Sequence, residues 1–379
     1  MRMNAILRVR LGAFFIMAAA TCLQGNPETV SVQPYVNISL DGWTLLDGGT
    51  GSGERSFGLV DAGLDFVLTE RLEGHIGGFV FAGDRDVDGF TGDFGVFSNT
   101  ITDTRYNVFT AWLKQSFNDF HIRFGQLASD ETFYVSEGGS LFLNSNFGAL
   151  PTVSANVAAP IFSVGSAGVE LGQRLENGYF QAGAYAGDPG PADRDDHGFK
   201  WNAGGDAGYF FIAERGWSLN AIHSAESQFK LGAYYHSGRF DAFSNASARN
   251  GNSAIYAITD QPISESVTLF GRFGYNPDSE YSVIEHYLDI GLNWQGVFGN
   301  RPDDTLGVAY SHSRFSSAFR NSVAAEEGRL IGNEQVLEVT YQAGLAEGWQ
   351  VQPSLQYIIN PLNATEDTIV AGVRLSIGY

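Results

Sequence analysis

Along most of this chain apolar and polar residues alternate one by one over runs of about ten residues, with Gly, Asn, Asp and Ser between the runs. Period two marks an extended strand, whose successive side chains point to opposite faces. The run at 369–379 is the clearest: Ile369, Ala371, Val373, Leu375, Ile377 and Tyr379 alternate with Val370, Gly372, Arg374, Ser376 and Gly378. Trp349, Val351, Leu355 and Tyr357 oppose Gln350, Gln352, Ser354, Gln356 and Asn360 in the same way. Phe180, Ala182, Ala184 and Ala186 oppose Gln181, Gly183 and Tyr185. Ile284, His286, Leu288, Ile290, Leu292 and Trp294 oppose Glu285, Tyr287, Asp289, Asn293 and Gln295. Each predicted strand is apolar on one side only.

Sixteen strands are predicted, at about 30–41, 56–68, 72–82, 103–116, 120–126, 161–173, 179–187, 200–213, 217–236, 253–262, 267–275, 283–296, 304–312, 334–344, 349–359 and 368–379. Tight connections (69–71, 117–119, 176–178, 264–266, 346–348) alternate with long ones (83–102, 127–160, 188–199, 237–252, 313–333). A soluble sandwich also alternates, but strand length, strand count and this parity point to an outer-membrane barrel with short periplasmic turns and long outer loops. The expected fold class is therefore all-β, a transmembrane antiparallel barrel of about 16 strands in a single domain over 26–379. Both termini are expected on the periplasmic side, with 127–160 the third outer loop and the longest. Pro34 and Pro353 fall inside predicted strands, where a missing N–H removes a ladder bond, so each is expected at a bulge or a strand end. The ninth strand is poorly bounded, because 217–226 has no clear period.

Composition agrees with that picture. Arg2, Arg8 and Arg10 flank the apolar run 11–20, the layout of a secretory signal peptide over 1–25 with cleavage near 20–25. That run is too short to span a bilayer, and no later segment reaches the roughly 18 apolar residues a membrane helix needs. Cys22 is the only cysteine, which excludes an internal disulfide; a lipid-modified Cys22 is the alternative use, although Ala19, Ala20 and Thr21 lack the expected cleavage pattern. Loss of the three leader arginines lowers the formal charge from −20 to −23, which argues against nucleic acid as a partner. Lysine occurs only at 114, 200 and 230, while Gly (47), Phe (29) and Tyr (16) abound, as in a wall with one lipid-facing side.

Alternation turns Arg105, His121, Arg123, Arg272, Glu285, Asp289 and Arg374 inward, where they either set selectivity or simply solvate a wet wall. The 127–160 loop holds Phe133, Tyr134, Phe142 and Phe147 among Asp130, Glu131, Asn144 and Asn146, too apolar a content for a solvated tip. Folded into the lumen, it would bury those rings and narrow the pore. Rings beside amides and carboxylates suit sugars, whose C–H surfaces meet aromatic groups while their hydroxyls take hydrogen bonds. The plainer reading is that the rings pin the loop to the wall. Asp84, Asp86 and Asp88 have the spacing that opens a calcium loop, but Gly95 stands where a bidentate Glu is required. The Gly48–Gly53 stretch reads as a flexible outer loop. Neither H-E-x-x-H nor G-x-S-x-G occurs, and His286 has no evident catalytic partner, so neither an enzyme nor a cofactor is expected. The terminal aromatic Tyr379 is expected to serve as the signal read by the barrel assembly machinery.

Longer stretches carry a resemblance. Residues 122–133 (IRFGQLASDETF), 142–148 (FLNSNFG), 180–189 (FQAGAYAGDP), 229–238 (FKLGAYYHSG), 270–274 (FGRFG), 299–304 (GNRPDD) and 352–361 (QPSLQYIINP) together resemble the carbohydrate-selective porin family, OprB type. The likeness runs in order over about 105–379 and is weaker over 30–100. It implies a sixteen-stranded outer-membrane barrel with an eyelet favouring neutral sugars such as glucose, includes Pro353 in its own pattern, and leans towards a monomer over the trimer of general porins. The arginine set of that eyelet does not carry over, because the early strands are where this sequence departs. The expected function is passive diffusion of mono- and oligosaccharides, with weak ion selectivity and with small sugars and outer-membrane lipid as partners. The expected pore-lining set is Arg105, Arg123, Asp130, Glu131, Phe133, Tyr134, Asn144, Phe147, Arg272, Glu285, Asp289 and Arg374. Alternatives are a porin without sugar preference, or a barrel used for adhesion or as an enzyme.

Overall fold

In a computed structural model of the chain, which describes residues 30–84, 86, 89–190, 198–219, 227–244 and 246–379, sixteen antiparallel strands follow one another around a closed barrel. The first half comprises β1 (Ser31–Asp47), β2 (Glu54–Thr69), β3 (Leu72–Gly83), β4 (Tyr106–Phe117), β5 (Phe120–Leu127), β6 (Ser166–Leu175), β7 (Gly178–Ala186) and β8 (Tyr209–Leu219). The second comprises β9 (Ser227–Phe240), β10 (Arg249–Pro262), β11 (Val267–Tyr275), β12 (Ile284–Gln295), β13 (Thr305–Phe315), β14 (Glu334–Ala346), β15 (Trp349–Ile359) and β16 (Thr368–Gly378). β16 closes on β1 with Asp41 opposite Arg374 and Asn37 opposite Gly378. Closure leaves no unpaired edge, the condition a sheet must meet in lipid. The expected leader and Asp88 lie outside the described residues.

The outer face is apolar and exposed, and the inner face is polar and buried. In β15, Leu355 and Tyr357 are exposed while Gln352, Ser354 and Gln356 are buried; in β16, Val373 is exposed and Arg374 buried. This inversion of a soluble protein's polarity is what hydrocarbon outside and polar contents inside require.

Several boundaries differ from the sequence-based expectation. β8 begins at Tyr209 rather than 200 and extends to Leu219. The 200–208 stretch is instead a loop with short bridges, Asp188 to Asn202 and Gly204 to Gly208. The aperiodic 217–226 stretch is split accordingly: 217–219 belong to β8, and 220–226 lie outside the described residues. β6 starts at Ser166, not 161. The 313–333 connection, expected as plain loop, contains helix α2 (Ser317–Glu327), following the single turn α1 (Pro151–Ser154). Both ends are capped: the Ser316 side chain accepts from the Phe319 N–H at 3.1 Å, and Gly328 ends the helix at φ 66°.

Both prolines sit where a missing N–H does no harm. Val36 exchanges backbone bonds with Tyr379 (3.2 and 3.0 Å), so Pro34, two residues earlier, turns its nitrogen to the same side but beyond the end of β16. At Pro353 the β14–β15 pairing is interrupted, passing from Thr340–Ser354 to Ala343–Val351, and the Thr340 hydroxyl donates to the Pro353 carbonyl instead (3.0 Å). A register shift at Glu285 turns Ile284 from the outer row, where strict alternation had placed it, to a fully buried inner position.

Inside the barrel lie two clusters of buried apolar side chains. Leu127, Phe133, Tyr134, Leu150 and Val153 pack against Tyr185, Phe210, Tyr234 and Tyr256. Phe90, Phe97, Phe142 and Phe147 pack against Trp43, Phe57, Phe81 and Phe270. Both clusters join connecting segments to inward-facing strand positions.

Candidate functional site

A loop that leaves its strand and returns must find partners for its backbone N–H and C=O groups. The wall supplies them for 127–160 with inward carboxylates. Glu214 of β8 accepts from the Tyr134 N–H (3.0 Å), and Asp260 of β10 accepts from the Ser136 hydroxyl and the Gly138 N–H (2.7 and 3.0 Å). Glu338 of β14 accepts from Leu143 and Asn144 N–H, both at 2.9 Å. Loop carbonyls take wall donors: Arg272 donates to Asn146 (2.8 Å) and Gly148, Tyr287 to Asn146 (2.6 Å), and Lys230 to Val135 (2.8 Å). Asp289 holds Arg272 in place at 2.5 Å, with both side chains almost completely buried. The segment thus runs along the inner face from β5 to β15.

The 89–105 segment does the same, which the sequence analysis missed. Glu334 accepts from Phe94 and Gly95 N–H (2.7 and 2.8 Å), and Gln356 donates to the Phe97 carbonyl (2.9 Å). Arg374 binds Asp41 through two bonds of 2.8 Å and reaches Ser98, Asn99 and Thr100. The two segments also bond each other, Asn99 N–H to the Leu143 carbonyl (2.7 Å) and Ser145 N–H to the Val96 carbonyl (2.9 Å). The signal that could have found this was the one used for 127–160: Phe90, Phe94 and Phe97 in a connection expected to be solvated.

Most of the predicted pore-lining residues therefore build the interior instead of facing open water. Phe133, Tyr134, Asn144, Phe147, Arg272, Asp289 and Arg374 are all buried, and their side chains or backbones anchor the two segments. Arg105 precedes β4 and is exposed, its carbonyl accepting from the Phe81 N–H at 2.7 Å. Glu285, at the register shift, pairs with His286 (3.4 Å) and Arg314 (3.7 Å) rather than pointing into the lumen. Asp84 accepts from the Ser56 N–H of β2, and Asp86 from the Gly89 N–H of its own turn. Among the described residues no group of three His, Cys, Asp or Glu side chains is arranged to hold a metal.

Arg123, Asp130 and Glu131 do come together. Arg123 binds Glu170 at 2.7 Å and approaches Glu131 at 3.5 Å, while also reaching the Thr132 hydroxyl. Asp130 accepts from the Phe162 N–H (2.8 Å), and burial pushes its carboxyl up to about 6. Glu131 is pushed up to about 7, chiefly by desolvation, with Arg123 pulling the other way. Beside them the inner wall of β1–β5 stays partly exposed, with Tyr35, Asp61, Asp65, His75 and Trp112 on it. Towards the tight turns, a recess of about 690 Å³ opens among Lys114, Ser116, His121, Gln173, Tyr179 and Gln181. Arg123 and Glu131 of the predicted set, with Thr132 beside them, remain accessible against this wall.

Comparison with known proteins places this architecture. The sequence model of the carbohydrate-selective porin, OprB family, matches residues 62–379. Porin B of Pseudomonas aeruginosa is 22% identical over 233 residues, 52% of this chain and 51% of that protein, so the match spans about half the length of this curated relative. The high-pH structure of Pseudomonas putida OprB superposes with a TM-score of 0.82 at 17% identity, covering 92% of this chain and 94% of that one. The outer-membrane channel DcaP of Acinetobacter baumannii gives 0.60 at 10% identity, covering 93% and 99%.

Proposed function

Because this chain belongs to the carbohydrate-selective porin family, OprB type, we propose that it is a passive outer-membrane channel through which small carbohydrates diffuse. The observation that carries this reading is the asymmetry of the interior. Two segments cover the inner face from β5 round to β16 and also the loop-side ends of β1–β3 at Asp41, Trp43, Phe57 and Phe81, whereas Arg123, Glu131 and the rest of the β1–β5 wall, with Tyr35, Asp61, Asp65, His75 and Trp112, keep accessible polar and aromatic groups. The 127–160 segment acts as the constriction, and solute passes between it and that wall. Diffusion through water needs no cofactor and no energy coupling. The end bearing the tight turns and both termini faces the periplasm, and the channel works as a monomer.

Planar-bilayer recording tests the channel: purified protein gives steady pores whose current falls on adding glucose or maltose. Absence of pores, or conductance indifferent to both sugars, would refute it. Tyr379, exposed yet paired through its backbone with Val36, is the handle that the assembly machinery reads. Deleting it should sharply lower the amount of barrel in the outer membrane; an unchanged amount, measured in isolated membranes, would contradict this role.

A further inference from the structure

A row of rings crosses the accessible wall. Tyr35 on β1 lies over Gly63 of β2 and Gly77 of β3: a methyl group at either glycine would meet the Tyr35 ring or hydroxyl within 2.8 Å. Glycine at these two facing positions lets the ring lie along the wall rather than project into the passage. His75 follows, its ring 5.9 Å from that of Tyr35 with planes 17° apart, and then Trp112, 5.3 Å from His75 with planes 16° apart. The Arg123 guanidinium continues the row 5.1 Å from the Trp112 ring. Near-parallel rings ending in a cation make a continuous apolar strip with polar edges, and it stays partly exposed.

Carboxylates border the strip. Asp65 bonds His75 Nδ1 at 2.7 Å, Asp61 accepts from the Tyr35 hydroxyl at 3.5 Å, and Glu131 approaches from the 127–160 segment. Glu170 matches Arg123, and Glu73 matches Lys114 (3.2 Å), which leaves Asp61, Asp65 and Glu131 as acids in excess of the arginine and lysine around the rings. Sugars present C–H faces to rings and hydroxyls to carboxylates, and a charged sugar also feels that surplus.

We propose that the Tyr35–His75–Trp112–Arg123 row is the track along which sugars pass, and that its bordering acids make it favour neutral and amino sugars over uronic acids. The proposal rests on the sugar-channel reading above and names where and how that channel discriminates.

Current block by glucose, glucosamine and glucuronate, at equal concentrations on the full-length protein in planar bilayers, tests both halves. Wild type should be blocked by glucose and glucosamine and much less by glucuronate. Trp112→Ala should weaken glucose block by about three- to tenfold, the scale of one lost ring contact, without reducing salt conductance, whereas Trp112→Phe should retain most of it. Asp61→Asn with Asp65→Asn should bring glucosamine and glucuronate close to parity, each read relative to glucose on the same channel. If Trp112→Ala fails to assemble, Tyr35→Ala against Tyr35→Phe reads the other end of the row. A Trp112→Ala channel blocked like wild type overturns the track but leaves the sugar channel standing, and a glucosamine preference that survives both Asn substitutions overturns the charge rule. Wild-type pores blocked by none of the three sugars would instead sink the sugar-channel reading itself.

Discussion

The walls of β1–β5 and of β8–β16 use the same chemistry, arginine beside carboxylate beside aromatic ring, for opposite ends. On the far wall Arg272, Glu334, Glu338 and Arg374 are buried with bonds to the two inward segments, and buried Asp289 holds Arg272 in place. On the near wall Arg123 and its neighbours keep a share of their surface open. The difference teaches that an inward charge is a candidate for contact with solute only when no loop has claimed it. It also gives much of the chain's acidity a structural use, since buried wall carboxylates take loop N–H groups that would otherwise lack partners.

The far wall should break most visibly. Arg272→Leu leaves Asp289 as an unpaired buried charge and removes a donor from the Asn146 and Gly148 carbonyls, of which Asn146 keeps Tyr287, so it should cost about 3–5 kcal/mol and release the 127–160 segment. Protease cleavage within 127–160 of the folded barrel, together with a larger and less sugar-sensitive conductance, is the expected result. Asp41→Asn should come next, at about 3 kcal/mol, because Arg374 keeps its bonds to Ser98, Asn99 and Thr100; here cleavage should appear in 89–105 first. If both variants were nicked in the same segment, the two anchors would not be independent. The smallest effect belongs to the near wall. Lowering the pH from 8 to 5 takes Glu131, at about 7, and then Asp130, at about 6, into their neutral forms, removing negative charge from the passage. Cation preference read from reversal potentials should fall modestly over that range, and a rise would reverse the sign assigned to the constriction.

Much of this was readable from the chain. The alternation at 349–359 and 369–379 assigned the correct residues to each face, and the tight turns at 69–71 and 346–348 paired the correct strands, because hairpin pairing and side-chain period are local properties. Ile284 escaped, since one extra residue at a register shift reverses a parity that looks unbroken in sequence. The second inward segment escaped for a different reason. Glu334 meets Phe94 and Gly95 across some 240 positions, and Gln356 meets Phe97 across 259, distances over which no spacing rule operates.

By itself, then, the sequence determined a sixteen-stranded barrel, which face of each strand meets lipid, and a 127–160 connection too apolar to stand in water. Only the tertiary structure decided which inward groups remain accessible. Period two says that Arg123, Arg272 and Arg374 share a face; it cannot say that folded segments bury two of them, because burial there comes from chain more than a hundred residues away. For the same reason Tyr35, His75 and Trp112, separate in sequence and on three strands, became one row only when the barrel closed around them.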